Sequence, residues 1–390
     1  MGALTVLFAP DSFKGSLTSV EVAGGLAEGW ARARPADSLL LSPLADGGEG
    51  TLVAIAAAGG WEWRSTMVHD PDFHQVDAPW LISPDGRSAV IEMATASGLS
   101  LVPADRRDTR LLTTMGTGEL LAAALSEGAR WITLGIGGSA TTDGGAGILT
   151  VLGAVFREED GEPVVELPTP PVGATLGGVS SADLSGLDPR LAEVDLRIAC
   201  DVTNPLLGPI GSAAVFGPQK GASPDDVEFL DDNLAIYADA LEAATGRRER
   251  DTPGAGAAGG VGFAFLELQD RFKSFALQPG IDLVMEATDF TGKLSRTQLV
   301  VTGEGRIDEQ TAFGKTALGV ARRASDAGVA CIAVGGGVTA DGIAALASLG
   351  VVVVPVTERP QTVEEAMASG VAPVVRCGER IARLVSLASA

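Results

Sequence analysis

Short apolar runs alternate with longer alanine-rich stretches over much of this 390-residue chain. Residues 4–10 form an apolar run with strand character, and residues 19–33 carry the spacing of an amphipathic helix. Thr18 and Glu21 match a capping box at the start of that helix. The alternation returns at residue 298 and continues to the end of the chain. This order predicts parallel sheets covered by helices.

The middle of the chain follows a different pattern. From residue 61 to about 93, apolar positions alternate with a period of two between turn signals, which indicates antiparallel or mixed strands. Residues 225–244 form the longest clear helix pattern. Residues 163–189 are rich in proline and glycine, which predicts a loop outside the core. The middle therefore indicates a separate domain.

The two patterns together predict an α/β fold with two α/β domains. Residues 1–66 and 292–390 form a parallel-sheet domain of the Rossmann or flavodoxin-like kind, and residues 67–291 form an inserted α/β domain with a mixed sheet. A chain of this length exceeds what one hydrophobic core usually organises, which agrees with two domains. We expect the active site in the cleft between them.

Composition narrows the function classes. The formal charge of −22 argues against nucleic acid and anionic membranes as partners, because both require basic surface. No stretch approaches the roughly 18 apolar residues of a membrane helix, and the N-terminus lacks a signal peptide's basic region, so we expect a cytoplasmic protein. Three widely spaced cysteines indicate neither disulfides nor a zinc site. With two histidines, the chemistry must depend on carboxylates, Lys, Arg, hydroxyls and backbone amides.

Polar, glycine-rich segments follow several predicted strands, at the place where open α/β sheets bind ligands. In APDSFKGS, residues 9–16, Ser12 could contact a substrate, and Lys14 could neutralise a carboxylate or phosphate. The alternative is an ordinary loop with a solvated lysine. In PLADGGEG, residues 43–50, Asp46 could hold Mg²⁺ or could cap the following helix.

The most specific local pattern is GIGGSATTDGGAG, residues 135–147. Its glycines and hydroxyls, placed after a strand and before a helix, could cradle a phosphate, and Asp143 fits a metal that bridges phosphates. The segment also contains G-x-G-x-x-A, so a dinucleotide site and a purely structural turn are alternatives. The nucleotide-binding residues predicted here are Gly135, Gly137, Gly138, Ser139, Thr141 and Gly144.

Two further polar groups follow the predicted strand at residues 195–200. Asp201 is the best candidate for a general base that receives a hydroxyl proton, with a structural Asp turn as the alternative. Asn204 follows it closely, and Lys220 in GPQKG offers a second cation. We assign Asn204 and Lys220 to the nucleotide.

The other dense cluster is TGEGRIDEQTAFGKT, residues 302–316. Its cations could stabilise the charge of a transferred phosphoryl group, and its acids could bind metal or orient substrate; a salt-bridged surface loop is the alternative. The end of the segment imitates a P-loop, but Glu309 occupies the position of the required earlier glycine. We therefore predict that this is not a P-loop kinase. The polar residues of the cluster are Glu304, Arg306, Asp308, Gln310 and Lys315.

Taken in order, PDSFKGS, PLADGGEGT, GIGGSATTDGG, ACDVTNPLLGP, FGPQKGA, PGIDLVME and TGEGRIDEQTAFGKT resemble the bacterial glycerate kinase family. The resemblance implies two α/β domains, one inserted into the other, outside the P-loop kinases. It also implies ATP and Mg²⁺ as cofactors, D-glycerate as the small-molecule substrate, 2-phosphoglycerate as the product and Asp201 as the base. One variation is Thr142, where we expect asparagine.

The resulting hypothesis is a glycerate kinase, and it leaves rivals open. One rival is an enzyme that forms 3-phosphoglycerate, and others are an NAD-dependent hydroxy-acid dehydrogenase and a non-catalytic anion-binding module. A dehydrogenase commonly uses a histidine, and neither His69 nor His74 occupies a convincing site. The oligomeric state stays open between a monomer and a homodimer. The roles assigned are catalysis for Asp201, Arg306, Lys315 and Lys14; Mg²⁺ binding for Asp46, Asp143 and Glu304; and substrate binding for Ser12, Asp308 and Gln310.

Overall fold

The computed structural model describes residues 2–165, 169–309 and 316–387. The chain forms two compact units. The first consists of Met1–Asp46, Gly50–Gly59 and Ile281–Ala390, and the second consists of Gly47–Glu49 and Gly60–Gly280. Each unit contains a β-sheet and helices, so the predicted α/β fold class is confirmed.

The regular elements alternate between strands and helices along most of the chain. The strands are β1 (Thr5–Pro10), β2 (Ser38–Leu41), β3 (Glu62–His69), β4 (Gln75–Ile82), β5 (Ser88–Glu92), β6 (Trp131–Gly135), β7 (Val155–Arg157), β8 (Ser181–Asp183), β9 (Asp195–Ala199), β10 (Ser274–Gln278), β11 (Leu299–Ile307), β12 (Ala330–Val338) and β13 (Val352–Pro355). The α-helices are α1 (Ser19–Ala33), α2 (Thr51–Ala57), α3 (Ala94–Ser97), α4 (Met115–Ser126), α5 (Ala146–Val151), α6 (Ser212–Phe216), α7 (Pro224–Thr245), α8 (Val261–Glu267), α9 (Gly280–Ala287), α10 (Phe290–Leu294), α11 (Thr316–Asp326), α12 (Ala340–Ala347), α13 (Val363–Ala368) and α14 (Ala372–Leu387).

The sheet of the first unit has the order β13-β12-β11-β1-β2, and its neighbouring strands are parallel. Val6, Leu7 and Phe8 of β1 are fully buried, as expected for a strand in a parallel sheet covered on both faces. The register places Pro10 of β1 beside Gly303 of β11. The carboxyl ends of these strands therefore lie side by side, at the edge where open α/β sheets bind ligands.

Helix α1 covers part of this sheet and begins where the sequence predicts. The Thr18 hydroxyl accepts from the Glu21 N–H at 3.2 Å, and the Glu21 carboxylate accepts from the Thr18 N–H at 2.8 Å. The capping box is thus confirmed. Trp30 is buried on the inner face of the helix. Helix α1 packs against α14 at Gly29, where a methyl group would overlap the carbonyl oxygen of Val375.

The sheet of the second unit has the order β10-β9-β6-β5-β4-β3. β3, β4 and β5 pair antiparallel, whereas β5, β6, β9 and β10 pair parallel, which is the mixed sheet that was predicted. The unit starts at Gly60, before the predicted boundary after residue 66, because β3 pairs with β4 along its whole length. It ends at Gly280 instead of residue 291.

The described residues of the segment 163–189 contribute to the core of the second unit, so the predicted place of the segment outside the core is wrong for them. Leu176 and Val179 are buried in that core. The backbone is held there by Asn233 of α7, whose side-chain amide donates to the carbonyl of Gly173 at 2.8 Å. An irregular segment can enter a core when its polar backbone groups find such partners.

Helix α7 is the longest helix in the described part of the chain, in agreement with the pattern at residues 225–244. It begins at a capping box in which Ser223 and Asp226 each accept from the other's N–H, and Pro224 occupies the first turn. Across the described ranges, we find no helix with the length and apolar character needed to cross a membrane.

Candidate active site

The first unit contains a pocket of about 470 Å³ at the carboxyl ends of its strands. The loop after β1 and the end of β11 meet at this pocket, because the two strands are parallel neighbours. The structure thereby brings together residues from three of the predicted motifs. The polar and charged side chains at this pocket include Asp11, Ser12, Lys14, Asp46, Glu304 and Arg306.

Lys14 and Asp46 form an ion pair inside this lining. The Lys14 Nζ lies 3.3 Å from Asp46 Oδ2, and 74% of the lysine side chain is exposed. The negative charge of Asp46 raises the pKa of Lys14, and the charge of Asp11 acts in the same direction. Lys14 is therefore a cation at neutral pH that faces solvent at the pocket, as an anion-binding residue requires.

Asp11 is a pocket residue to which the sequence analysis gave no role. Its carboxylate is buried and accepts from the Thr316 hydroxyl and the Ser12 N–H, each at 2.6 Å. Burial raises the pKa of Asp11 to about 6, and the nearby charge of Asp46 adds to this rise. A carboxyl group with a raised pKa in a pocket is a feature of functional sites. Its position directly after a buried strand is the signal that could have identified it.

The end of β11 supplies one buried acid and one exposed cation. Glu304 is buried at the pocket, while 72% of the Arg306 side chain is exposed. The Arg306 Nε lies 3.0 Å from Asp308 Oδ2, so Asp308 holds the guanidinium by an ion pair. Asp308 itself does not line the pocket. Gln310 and Lys315, which the sequence analysis assigned to substrate and to catalysis, lie outside the described residues.

The GIGGSATTDGGAG segment lies in the second unit, after β6 and into α5. A Cβ atom on Gly135 would lie 2.5 Å from the carbonyl oxygen of Gly47, and one on Gly137 would lie 2.6 Å from the Cα of Gly48. The two glycines therefore allow two predicted motifs to pack backbone against backbone. This packing explains both glycines without a bound phosphate.

Backbone amides of this segment already donate within the protein. The Ala140 N–H donates to the carbonyl of Ser97, and the Gly144 N–H donates to the carbonyl of Gly259, both at 2.9 Å. The amide of Gly144 therefore already has an acceptor within the protein, which does not support its predicted contact with a nucleotide phosphate. Gly138 is the exposed residue of the segment and the position where a ligand could approach its backbone.

Lys220 is buried and ties its own loop to the glycine-rich segment. Its Nζ donates to Ser139 Oγ at 3.0 Å and to the carbonyl oxygen of Thr141 at 2.6 Å. Burial lowers the pKa of Lys220 from 10.5 to about 7. The predicted direct contacts of Lys220 and Thr141 with a nucleotide are not supported, because both residues are enclosed by protein.

Asp143 is fully buried and surrounded by donors. The N–H and hydroxyl of Thr114 donate to its Oδ2 at 2.8 and 2.7 Å, and the N–H groups of Gly145 and Gly147 donate at 3.1 and 3.2 Å. Burial raises the pKa of Asp143, and these hydrogen bonds oppose the rise. The carboxylate thus fastens the start of α5 to Thr114. Its surroundings do not fit the predicted Mg²⁺ ligand, since its oxygens are enclosed and already paired.

Asp201 is exposed and follows β9, as predicted. Its Oδ1 accepts from the N–H of Gly280 at 3.0 Å, which fixes the carboxylate at the start of α9. Asn204 donates from Nδ2 to the carbonyl of Ile210 at 2.8 Å and so closes its own loop. The exposure of Asp201 is compatible with a general base, whereas the contact of Asn204 is internal.

The pocket of the first unit offers carboxylates that could serve a metal ion. In the described part of the chain, no three His, Cys, Asp or Glu side chains are arranged to hold a metal ion. Asp46 and Glu304 line the same pocket, and Mg²⁺ commonly binds one or two protein carboxylates together with phosphate oxygens and waters. These two residues fit an ion that binds together with a nucleotide.

Comparison with known proteins agrees with the motifs. The sequence profile of the Glycerate kinase family matches residues 6–386. A glycerate kinase of Bacillus subtilis (strain 168) is 46% identical over 338 residues, which are 87% of this chain and 86% of that protein. A glycerate 2-kinase of Escherichia coli (strain K12) is 44% identical over 338 residues, with the same coverage of 87% and 86%.

A solved structure supports the same relationship. The crystal structure of a glycerate kinase 2 candidate from Salmonella typhimurium LT2 is 40% identical and superposes with a TM-score of 0.86 over 100% of both chains. The resemblance inferred from the motifs is confirmed, and the dehydrogenase and the non-catalytic binding module lose their support. This chain belongs to the glycerate kinase family.

Proposed function

We propose that this protein transfers the γ-phosphoryl group of ATP to D-glycerate and forms 2-phosphoglycerate and ADP. The observation that carries the proposal is the 44% identity to a glycerate 2-kinase over 87% of the chain. The pocket of the first unit supports it, because cations and carboxylates stand together at the carboxyl ends of parallel strands.

Two cationic side chains at that pocket are suited to the negative charges of the reactants. Phosphoryl transfer depends on positioning and on electrostatic stabilisation of the phosphoryl oxygens. Lys14 and Arg306 are both exposed at the pocket, and Asp46 and Asp308 hold them by ion pairs. We assign these cations to the negative charges of the phosphates and of the glycerate carboxylate, with Ser12 as a polar contact.

Asp201 is our candidate for the general base. Its carboxylate is exposed, and the hydrogen bond from the Gly280 N–H restricts its orientation. It takes the proton of the attacking hydroxyl group as that oxygen bonds to phosphorus, and ADP leaves with the bridging oxygen. The scarcity of histidine in this chain, which has two, supports a carboxylate for this step.

Mg²⁺ completes the proposal. When bound, the ion offsets the negative charge of the phosphates. Asp46 and Glu304 are the residues that would hold it, because both line the pocket, and Asp143 is left out of this role.

Cys200, Cys331 and Cys377 are free thiols, which supports the proposed location in the reducing cytoplasm.

The proposed function is tested by following ADP release with a coupled enzyme assay. ADP should form only when D-glycerate is present, and phosphorus NMR should identify the product as 2-phosphoglycerate. A 3-phosphoglycerate signal would overturn the assignment of the acceptor oxygen, and ADP release that ignores D-glycerate would overturn the substrate.

The role of Asp201 is tested with Asp201→Asn. The asparagine oxygen can still accept from the Gly280 N–H, but the side chain cannot act as a base, so the role in this hydrogen bond and the role in catalysis are separated. We expect kcat to fall by about a hundredfold or more with an unchanged thermal midpoint. Asp270→Asn is the control, because Asp270 is a surface residue whose side chain is 74% exposed. Nearly full kcat in Asp201→Asn would remove Asp201 as the base.

A further inference from the structure

We propose that the pocket of the first unit binds the nucleoside part of ATP against its apolar wall and leaves the phosphates at its charged rim. This inference rests on the proposed function for the choice of ATP as the donor. It moves the nucleotide away from the glycine-rich segment of the second unit, where the sequence pattern had placed it.

The position of the pocket favours a ligand site. Asp11 follows the last residue of β1, Glu304 and Arg306 lie near the end of β11, and Gly336 lies near the end of β12. These strands are adjacent and parallel. The pocket therefore lies at the carboxyl edge of a parallel sheet, which is the general ligand-binding edge of this architecture.

The wall of the pocket has a chemistry that glycerate does not match. Phe13 and Leu17 contribute from the loop after β1, Val363 and Met367 from α13, and Val374 from α14. Although they are apolar, Val363 is 70% exposed and Met367 is 40% exposed. Glycerate carries a polar group on every carbon and gains nothing from such a wall. A purine ring has two broad apolar faces, so burying it here would cover surface that is otherwise exposed.

The size of the pocket points to the same ligand. Its volume of about 470 Å³ falls in the range of roughly 300–1,000 Å³ typical of sites for small molecules and cofactors, which includes ligands of nucleoside size. Glycerate alone would leave most of this volume filled with water. Gln361 lies on the same wall and carries a donor and an acceptor, which match the hydrogen-bonding edge of a purine.

The rim of the pocket suits the phosphates. Lys14 and Arg306 supply positive charge, and Asp46 and Glu304 supply the one or two carboxylates that Mg²⁺ commonly takes beside phosphate oxygens. The apolar wall and the charged rim thus correspond to the two chemically different parts of one ATP molecule. The pocket around Arg247 and Arg250 differs in this respect, because it is lined mainly by charged residues of α7 and the loop that follows it.

The test fills the pocket without touching the charged residues. Ala366 lines the pocket on α13, and Ala368 lies on the same helix but outside the lining, so Ala366→Trp and Ala368→Trp form a matched pair. Binding of ADP is measured by calorimetry on the full-length protein, and KM values for ATP and D-glycerate are measured in the coupled assay. Met367→Asp, at an exposed position, is the second variant if Ala366→Trp does not fold.

We expect Ala366→Trp to raise the Kd for ADP and the KM for ATP by about tenfold or more, with the KM for D-glycerate within about twofold of wild type. Ala368→Trp should match the wild type in all three values. Adenosine alone should compete with ATP and should lose its binding in Ala366→Trp.

Two results would overturn the proposal. In one, Ala366→Trp raises the KM for D-glycerate and leaves ADP binding unchanged, which would give the pocket to the acid. In the other, neither Ala366→Trp nor Met367→Asp changes ADP binding. Failure of the proposed function would look different. If the wild type bound ADP in this pocket but did not form ADP from ATP when D-glycerate was added, the assignment of the pocket would stand and D-glycerate would be the wrong substrate.

Discussion

Asp143→Ala distinguishes a structural carboxylate from a metal ligand. The substitution removes the acceptor of two hydrogen bonds from Thr114 and of one each from the N–H groups of Gly145 and Gly147. Each buried donor that loses its partner costs about 1–3 kcal/mol. The loss is less than their sum, because burial already opposes the charge of Asp143 and raises its pKa. We expect the free energy of unfolding to fall by roughly 4 kcal/mol.

Thermal and urea unfolding of the full-length protein is followed by circular dichroism and intrinsic fluorescence, and the transition of the second unit is compared between variants. For a unit of this size, 4 kcal/mol corresponds to a fall in Tm of roughly 8–16 °C. Asp143→Asn should lose less, because its amide oxygen can still accept. Asp270→Ala is the control, since its surface ion pair with Arg247 should be worth no more than about 1 kcal/mol.

The opposite pattern would refute this reasoning. If Asp143→Ala kept the wild-type Tm but needed a higher Mg²⁺ concentration for half-maximal activity, the carboxylate would be a metal ligand. The alanine variant would then bind ADP without Mg²⁺ as well as the wild type does. The packing of Thr114 around the carboxylate would have to be explained in another way.

Two further predictions concern packing and pH. Gly29→Ala should lower the free energy of unfolding by about 3 kcal/mol, because its methyl group would overlap Val375, whereas Gly24→Ala on the same helix has open space and should stabilise by up to about 1 kcal/mol; equal urea midpoints for the two would contradict this account. Burial lowers the pKa of Lys220 to about 7, so the unfolded chain binds more protons than the folded one between about pH 7 and 10.5, and the free energy of unfolding should rise with pH in that window by at most about 5 kcal/mol. Lys220→Met should lack this rise in urea titrations at successive pH values, and an identical slope in both proteins would show that the lysine is not responsible.

Local signals were sufficient for much of the fold. Helix α1 lies at the predicted residues because its capping box and its apolar spacing are both local. The boundary of the second domain was predicted after residue 66, within β3, because the pairing of β3 with β4 depends on both strands and is not a local signal. The burial of Leu176 could not be predicted, since its segment lacks a period and its partners come from distant elements.

The candidate site shows the same division. The sequence could place Lys14 and Glu304 near this pocket because each lies after or near the carboxyl end of a strand, which is a ligand position in such sheets. The enclosed surroundings of Asp143, which do not favour its predicted role as a metal ligand, could not be foreseen because the sequence does not reveal burial or the donors of Thr114. The apolar wall from α13 was missed because exposed apolar residues on a short helix carry no local signature of a binding surface.

The order of strands in the first unit has a consequence for how the chain folds. On one side β1 pairs with β2, which follows it closely in the chain, and on the other side it pairs with β11. The hydroxyl of Thr302 in β11 donates to the carbonyl of Ala9, which lies 293 positions earlier in the sequence. During synthesis, β1 therefore leaves the ribosome long before β11 is made. In contrast, the strands of the second unit's main sheet all lie between β3 and β10 in the chain, so they are complete before β11 is made. We expect the second unit to fold first during synthesis, and the N-terminal strand to wait with an open hydrogen-bonding edge. Contacts of such long range also predict slow folding of the first unit.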